Sequence, residues 1–315
     1  MPVAEITSLA SRLSLSAVQV FRNLAVVPLL EPSSRLAGCL TFDEAVQRRQ
    51  TEITEVSASG SVPHLKVLNR GSDAVFLLDG EELVGAKQKR ILNLSIVFPG
   101  RAELEIPVSS IEQGRWAWRG RGFSGSERVI YSKLRRSNAE SVSESLFMSG
   151  DRRGDQGKVW DDIASKSARM SVHSDTSAAS ALYERYREDL DEFVSGIEPV
   201  AGQVGAAFLV DGQFAGLDVL AGPDLLARLL PKLVRSYALD AMDGNHPSGD
   251  KGIPILAGIG SVQNALAGIT RMASARHPAV GRGEDLRLKG EGLVGGALIA
   301  DGALIHLGLW ASAYH

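Results

Sequence analysis

Two runs of this sequence gather side chains able to hold and activate a charged small molecule. The first follows the Asp79-Gly80 dipeptide and contains Glu81, Glu82, Lys87, Gln88, Lys89, Arg90 and Asn93, set between the apolar stretches FLLDG and ILNLSIVF. Alternate residues of a strand share a face. Lys87, Lys89 and Ile91 therefore fall on one side, with Gln88, Arg90 and Leu92 on the other. Long polar donors on both faces point to a groove or a bulge, against the plainer reading of an exposed hairpin arm with solvated charges. The second run, IEQGRWAWRGRG, brings Glu112, Gln113, Arg115, Trp116, Trp118, Arg119 and Arg121. From Arg115 to Arg136 seven basic residues stand against one acid, Glu127, with Trp116, Trp118, Phe123 and Tyr131 interleaved. Basic and aromatic side chains together suit an anionic nucleotide or a single strand. The plainer reading is a solvated loop whose tryptophans plug the core.

Glu81 and Glu112 are the candidate catalytic residues, as general base or as ligands of a divalent ion such as Mg. Lys87, Arg90 and Arg115 can clamp an anion, and Gln88, Asn93 and Gln113 can orient a polar ligand. Trp116 offers a stacking surface. The set fits a phosphate-bearing or carboxylate-bearing small molecule, the former preferred, with nucleic acid as a less favoured partner. No P-loop pattern GxxxxGK[ST] and no GxSxG elbow occurs. The glycines of GLVGGALIADG sit in a hairpin context, which argues against a dinucleotide fingerprint. The six histidines lack ligand spacing, so no structural metal site is expected, and His306 within ALIHLGLW reads as a core histidine. Cys39 reads as a buried small hydrophobe. Asp161, Asp162 and Lys166 read as a helix face with ordinary pairing at a spacing of about four residues.

These residues must be positioned by two differently patterned regions, which together predict an α+β fold that could pack as one unit. Residues 16–135 read as a mostly antiparallel β region carrying both polar clusters. AELEIPV alternates charged and apolar positions, as a half-exposed strand does. LTFDEAVQRRQ carries a capping-box spacing from Thr41 to Glu44 and predicts a short helix. Residues 136–157 read as a mobile linker. Residues 158–315 read as an α/β region of helices and hairpins. It opens with a helix over GKVWDDIASKSARM and a longer one over DTSAASALYERYREDLDEFV, which Ser174 or Asp175 could cap. PDLLARLLPKLVRSYALDAM predicts a helix kinked or split at Pro231. Asp79-Gly80, Asp211-Gly212 and Asp301-Gly302 each predict a tight hairpin turn. VGAAFLVDGQFAGLDVL and VGGALIADGALIHLGLW look alike, either as a duplicated unit or as two solutions to one turn problem.

The 315 residues suffice for one large or two average domains. A net charge of −3 excludes a globally basic nucleic-acid coat, and a single cysteine excludes a disulfide framework. No run approaches the roughly 18 apolar residues of a membrane span, and the N-terminus makes a poor secretory signal. The expected setting is the cytoplasm, with no membrane partner and with a homo-oligomer allowed.

Several ordered strings together resemble a bacterial family, the ARG and rhodanese-phosphatase-superfamily-associated domain family. They are LLDGEELVGAKQKRILN, PVSSIEQGRW, VWDDIASKSARM with VHSDTSAAS, GQVGAAFLVDGQFAGLD and LVRSYALDA. The resemblance covers residues 18–310. The family's name records genomic company with ADP-ribosylglycohydrolases and rhodanese-like phosphatases. It therefore implies NAD or ADP-ribose metabolism, with hydrolytic or transfer chemistry, or else a non-catalytic nucleotide sensor or partner-binding module. It falls on Glu81, Gly85, Lys87, Gln88, Arg90 and Asn93, and on Glu112, Gln113, Arg115 and Trp116. Gln156, Trp160 and Lys166 join as candidates from the second region, with weaker matches at Ser174, Thr176, Gln203 and Asp218. This chain departs from the family pattern at Lys89, where Asn is expected, and at Ser110, where Cys is expected. Thiol chemistry at the latter position is therefore not available to it.

Overall fold

A computed structural model describes residues 4–31, 39–57, 63–85, 87–114, 122–244 and 255–312. Among them the chain opens with α1 (Ala4–Arg12), β1 (Ser14–Leu15), β2 (Gln19–Phe21) and β3 (Leu24–Leu30). There follow β4 (Cys39–Thr41), α2 (Phe42–Gln47), β5 (Thr51–Glu55), β6 (His64–Asn69), β7 (Ala74–Leu77), β8 (Glu81–Gly85), β9 (Arg90–Leu92), β10 (Ile96–Phe98), β11 (Ala102–Ser110) and β12 (Gly122–Val129). Helices α3 (Ser132–Ser149), α4 (Gln156–Arg169), α5 (Ser180–Arg185) and α6 (Arg187–Ser195) come next. The chain continues through β13 (Gln203–Val210), β14 (Gln213–Leu220), α7 (Pro223–Ala241), α8 (Ile255–Ile269), β15 (Ala273–Pro278), β16 (Glu284–Gly290), β17 (Leu293–Ala300) and β18 (Ala303–Ala311). The fold is α+β, as the sequence predicts. Among the described residues no helix is long and apolar enough to cross a membrane.

The chain forms two compact units. One takes Met1–Ala37, Glu188–Pro278 and Gly283–His315; the other takes Gly38–Arg187 with Ala279–Arg282. The second is thus an insertion in the chain of the first, between β3 and β13. The division differs from the sequence expectation of a β half and an α/β half, because β3 pairs with β13 across the whole insertion.

The first unit is built on a nine-stranded antiparallel sheet ordered β1-β3-β13-β14-β18-β17-β16-β15, with β2 also pairing β3. Its core joins Ile6 and Leu9 of α1 and Val262, Leu266 and Ile269 of α8 to Val27, Leu209, Leu217 and Leu307 of the sheet. The other face of β13 carries Phe208, stacked on Tyr237 of α7 at 3.9 Å between ring centroids. A strand covered on both faces reads as one apolar run, as QVGAAFLV does. Asp211-Gly212 and Asp301-Gly302 both hold positive φ at both positions and turn the hairpins β13–β14 and β17–β18. The two hairpins also share a bulge at the same place. Phe208 and Leu209 face Gly216 and Phe214, as Leu298 and Ile299 face His306 and Leu304. Their likeness therefore extends beyond the turn itself.

Pro231 lies inside a continuous α7. The helix forgoes the bond to the Ala227 carbonyl, and the buried row Leu226, Leu230, Leu233, Tyr237 runs through it. The long helix expected after Asp175 is broken at Tyr186 into α5 and α6, at the passage from one unit to the other. Ser174 caps neither; its Oγ accepts from the Ala178 N–H at 3.0 Å.

The second unit contains a three-stranded sheet, β10-β7-β4, and a closed barrel ordered β11-β6-β5-β12-β8-β9. Ile53, Leu65, Val67, Leu83, Leu92, Ile106, Val108 and Phe123 belong to its core. The Thr41 capping box forms as expected, with Thr41 Oγ1 accepting from the Glu44 N–H and the Glu44 carboxylate accepting from the Thr41 N–H at 2.8 Å. Asp79-Gly80 does not make a hairpin: β7 belongs to the small sheet and β8 to the barrel. Cys39 is only half-buried.

Much of the stretch expected as a linker is α3. It ends where Gly150 takes φ +75°, the left-handed close that glycine allows. Its buried face mixes Leu134, Val142 and Leu146 with Arg135, Ser137, Asn138 and Ser141. A polar buried face gives no apolar periodicity, so composition alone suggests a loop.

Candidate functional site

The polar residues of the first run are placed by β8, β9 and the turn between them. In the barrel, Ser110 pairs with Arg90 and Arg90 with Leu83, and directly paired residues share a face. Leu83 and Leu92 are core residues, so Arg90 and Ser110 point into the bore. Both are fully buried. Arg90 Nη1 donates to Gln88 Oε1 at 2.7 Å, and Ser110 Oγ donates to the same oxygen at 2.9 Å. One buried amide thus holds a guanidinium and a hydroxyl at one end of the barrel. Lys87 is buried in the turn that rims this end.

Glu112 lies just beyond this mouth and is held in place. Its carboxylate accepts from the Lys89 N–H at 3.1 Å and from the Thr176 hydroxyl at 3.0 Å. The backbone around it forms a short ladder with the segment before α5, through Glu112 opposite Ala178 and the Gly114 N–H donating to Thr176 O at 2.9 Å. Gln156, at the start of α4, caps the end of β11 on both sides. Its amide donates to Ser110 O and its oxygen accepts from the Ser110 N–H, each at 2.8 Å. Lys89 Nζ contacts Ser180 Oγ and stands 3.9 Å from Glu184.

Other expected residues stand elsewhere in the unit. Glu81 starts β8 and accepts from the Leu78 N–H at 3.2 Å. By register it sits four residues from Glu112 along the strands, which is about 13 Å at roughly 3.3 Å per residue. Leu83 lies between them. Asn93 faces outward with Ser109: its Oδ1 accepts from Ser109 Oγ at 2.7 Å and from Asn138 Nδ2 at 3.2 Å. It fixes the barrel wall to α3. Gln113 is exposed. Trp160 is half-buried on α4. Lys166 is fully buried with its ammonium 4.5 Å from the centre of the Tyr131 ring, while Tyr131 donates to Asp162 at 2.6 Å. Lys166 is thus buried against a ring and not on a solvated face. Arg115 and Trp116 lie outside the described residues.

One residue of the mouth gave no signal in the sequence reading. Glu55 ends β5, on the face of Ile53, a core residue. It is 93% buried, and neither carboxylate oxygen has a hydrogen-bond partner among the described residues. The string TEITE offers a hint: Glu55 shares its face with the one apolar residue, whereas Glu52 and Thr54 share the other.

In the first unit, Asp218 and His306 are both buried, with His306 Nε2 3.0 Å from Asp218 Oδ1 and Tyr237 donating to Asp218 at 3.4 Å. His306 is a bonded core histidine, as its apolar strand suggests. Gln203 folds back on its own strand, its amide donating to Gly205 O at 3.0 Å.

A family model described as the ARG and Rhodanese-Phosphatase-superfamily-associated Protein domain matches residues 12–310. No curated protein and no solved structure matches the chain.

Proposed function

From the premise that the chain belongs to the ARG and Rhodanese-Phosphatase-superfamily-associated Protein domain family, we propose that it binds a phosphate-bearing nucleotide of the ADP-ribose or NAD class at the barrel mouth. There it carries out hydrolytic or transfer chemistry at a glycosidic or phosphoester bond, in a cytoplasmic setting. The observation that carries this reading is the fully buried Arg90 guanidinium, aimed into the bore and held by Gln88 beside Ser110. A cation fixed out of water is worth more to a phosphate than one on the surface, because it is already desolvated and oriented. Lys87 at the rim adds a second positive charge. Glu112 is a carboxylate on this side of the barrel and serves as the general base or as the ligand of a divalent ion. Glu81, at the other end, serves the fold.

A second reading has a specific observation behind it. Glu112 is engaged by a backbone N–H and a hydroxyl, as a carboxylate serving a purely structural clasp is. On that reading the protein senses the nucleotide without turning it over.

Calorimetry with ADP-ribose and NAD, with and without magnesium, tests the proposal. Wild-type protein is expected to bind in the micromolar range, and Arg90→Ala to lose about 2–3 kcal/mol of that, as breaking a charged hydrogen bond does. Failure of every nucleotide to bind overturns it. Glu112→Gln separates the two readings: lost turnover with binding kept marks an enzyme, and binding with no turnover in either protein marks a sensor.

A further inference from the structure

Glu55 and Arg90 stand on opposite walls of the barrel. In the strand order β11-β6-β5-β12-β8-β9, β5 and β9 are three strands apart in either direction. Their heights follow from the register. Through β6 and β11, Glu55 aligns with Leu65 and then Ile106, and Arg90 pairs four residues further up, at Ser110. Through β12 and β8, Ile53 aligns with Phe123 and then Gly85, and Arg90 pairs at Leu83, four residues below the level of Glu55. Offsets that are equal and opposite are what tilted strands produce between two residues at one height on facing walls. Phe123 and Val108 line the wall near this level, and Ile53, Leu65 and Leu83 form the floor below it. At the mouth a guanidinium and a carboxylate therefore stand on facing walls, above apolar side chains.

The carboxylate is the unusual member. Removing an ionised group from water without a hydrogen bond costs several kcal/mol, and folds rarely keep such a group without a use. Glu55 has four lone-pair positions and, among the described residues, no hydrogen-bond partner for either oxygen.

We propose that Glu55 is a ligand-binding residue that accepts hydrogen bonds from the vicinal hydroxyls of a ribose whose 5-phosphate end is held by Arg90. The inference rests on the nucleotide reading above and names the part of the nucleotide that would be held at the mouth, its ribose 5-phosphate moiety. A carboxylate accepts two neighbouring hydroxyls at once, through charge-assisted bonds, and the phosphate meets the guanidinium on the opposite wall. The apolar floor matches the carbon face of the sugar ring.

The test uses the full chain, with ribose 5-phosphate, 2-deoxyribose 5-phosphate and ADP-ribose as probes in calorimetry, beside melting curves of wild type and Glu55→Gln. Wild type is expected to prefer ribose 5-phosphate over the deoxy sugar by about tenfold, and Glu55→Gln to lose most of that preference while melting at a higher temperature. A variant that binds worse yet melts higher marks a residue kept for its ligand. Equal binding of the two sugars by wild type, or an unchanged preference in Glu55→Gln, overturns the assignment to Glu55 even if ADP-ribose binds. If ADP-ribose fails to bind while ribose 5-phosphate binds through Glu55, the nucleotide reading falls and the sugar phosphate site stands. If no probe binds, both fall.

Discussion

A side chain's neighbours decide what it can do, and three buried ions of the second unit show three outcomes. Arg135 is spent on structure. Its guanidinium meets Asp79 through two nitrogens, at 2.9 and 3.2 Å, and is fully buried. Arg135→Ala would leave the Asp79 carboxylate without that partner, and we expect a loss of about 3–5 kcal/mol in chemical denaturation. A loss under about 1 kcal/mol would mean that the pair contributes little. Lys166 lies against the ring of Tyr131, and Arg90 points into the bore beside Gln88. The sequence marked Arg90, Gln88 and Glu112 because polar residues crowd between apolar runs there, and the structure brings these three to one mouth. It could not separate Glu81 from Glu112, since nothing local tells that the two stand at opposite ends of a barrel. Nor could it find Glu55, whose significance comes from β9 across the bore rather than from its own neighbours in the chain.

At the scale of elements, short-range chemistry was legible and long-range pairing was not. The Thr41–Glu44 capping box, two of the three Asp-Gly hairpins and the helix starting near Gln156 all follow from residues within a few positions of each other. Thr41→Ala should cost about 1 kcal/mol, read from a denaturation midpoint, because one N-terminal N–H of α2 loses its acceptor. α3 was hidden because its inner face is built from Arg135, Asn138 and serines, which bury by bonding rather than by being apolar. The mouth also depends on a backbone approach that only glycine permits. Gly85 has φ +152°, and a Cβ there would lie 2.2 Å from the Gly122 carbonyl oxygen. Gly85→Ala must part β8 from β12. We expect a destabilisation of about 1–3 kcal/mol together with weaker ADP-ribose binding in calorimetry. Unchanged binding would separate the ligand site from this edge of the barrel.

At the scale of the molecule, each unit has a core of its own, one around Leu29 and Leu209, the other around Leu65 and Val67. Leu29→Ala and Leu65→Ala should each cost about 2–5 kcal/mol, and the double variant should lose the sum to within about 0.5 kcal/mol. A larger departure in denaturation would show that the two cores are coupled. The α+β class was legible from the mix of patterns, but the boundaries were not, because composition hardly changes at residues 38 and 187. The pairing that defines the first unit joins residues on either side of everything between. That pairing has a kinetic consequence. The second half of the sheet passes from β16 to β17 through the turn at Glu291-Gly292, whereas the first half passes from β3 to β13 through the whole inserted unit. During synthesis the N-terminal strands emerge long before their partner exists. Loop-closure entropy disfavours joining such distant segments while the chain between them is disordered, and it grows by about 0.6 kcal/mol with each doubling of the loop. Contact order is set by the insertion, so the barrel should fold first and the sheet close around its two ends as the slow, late step.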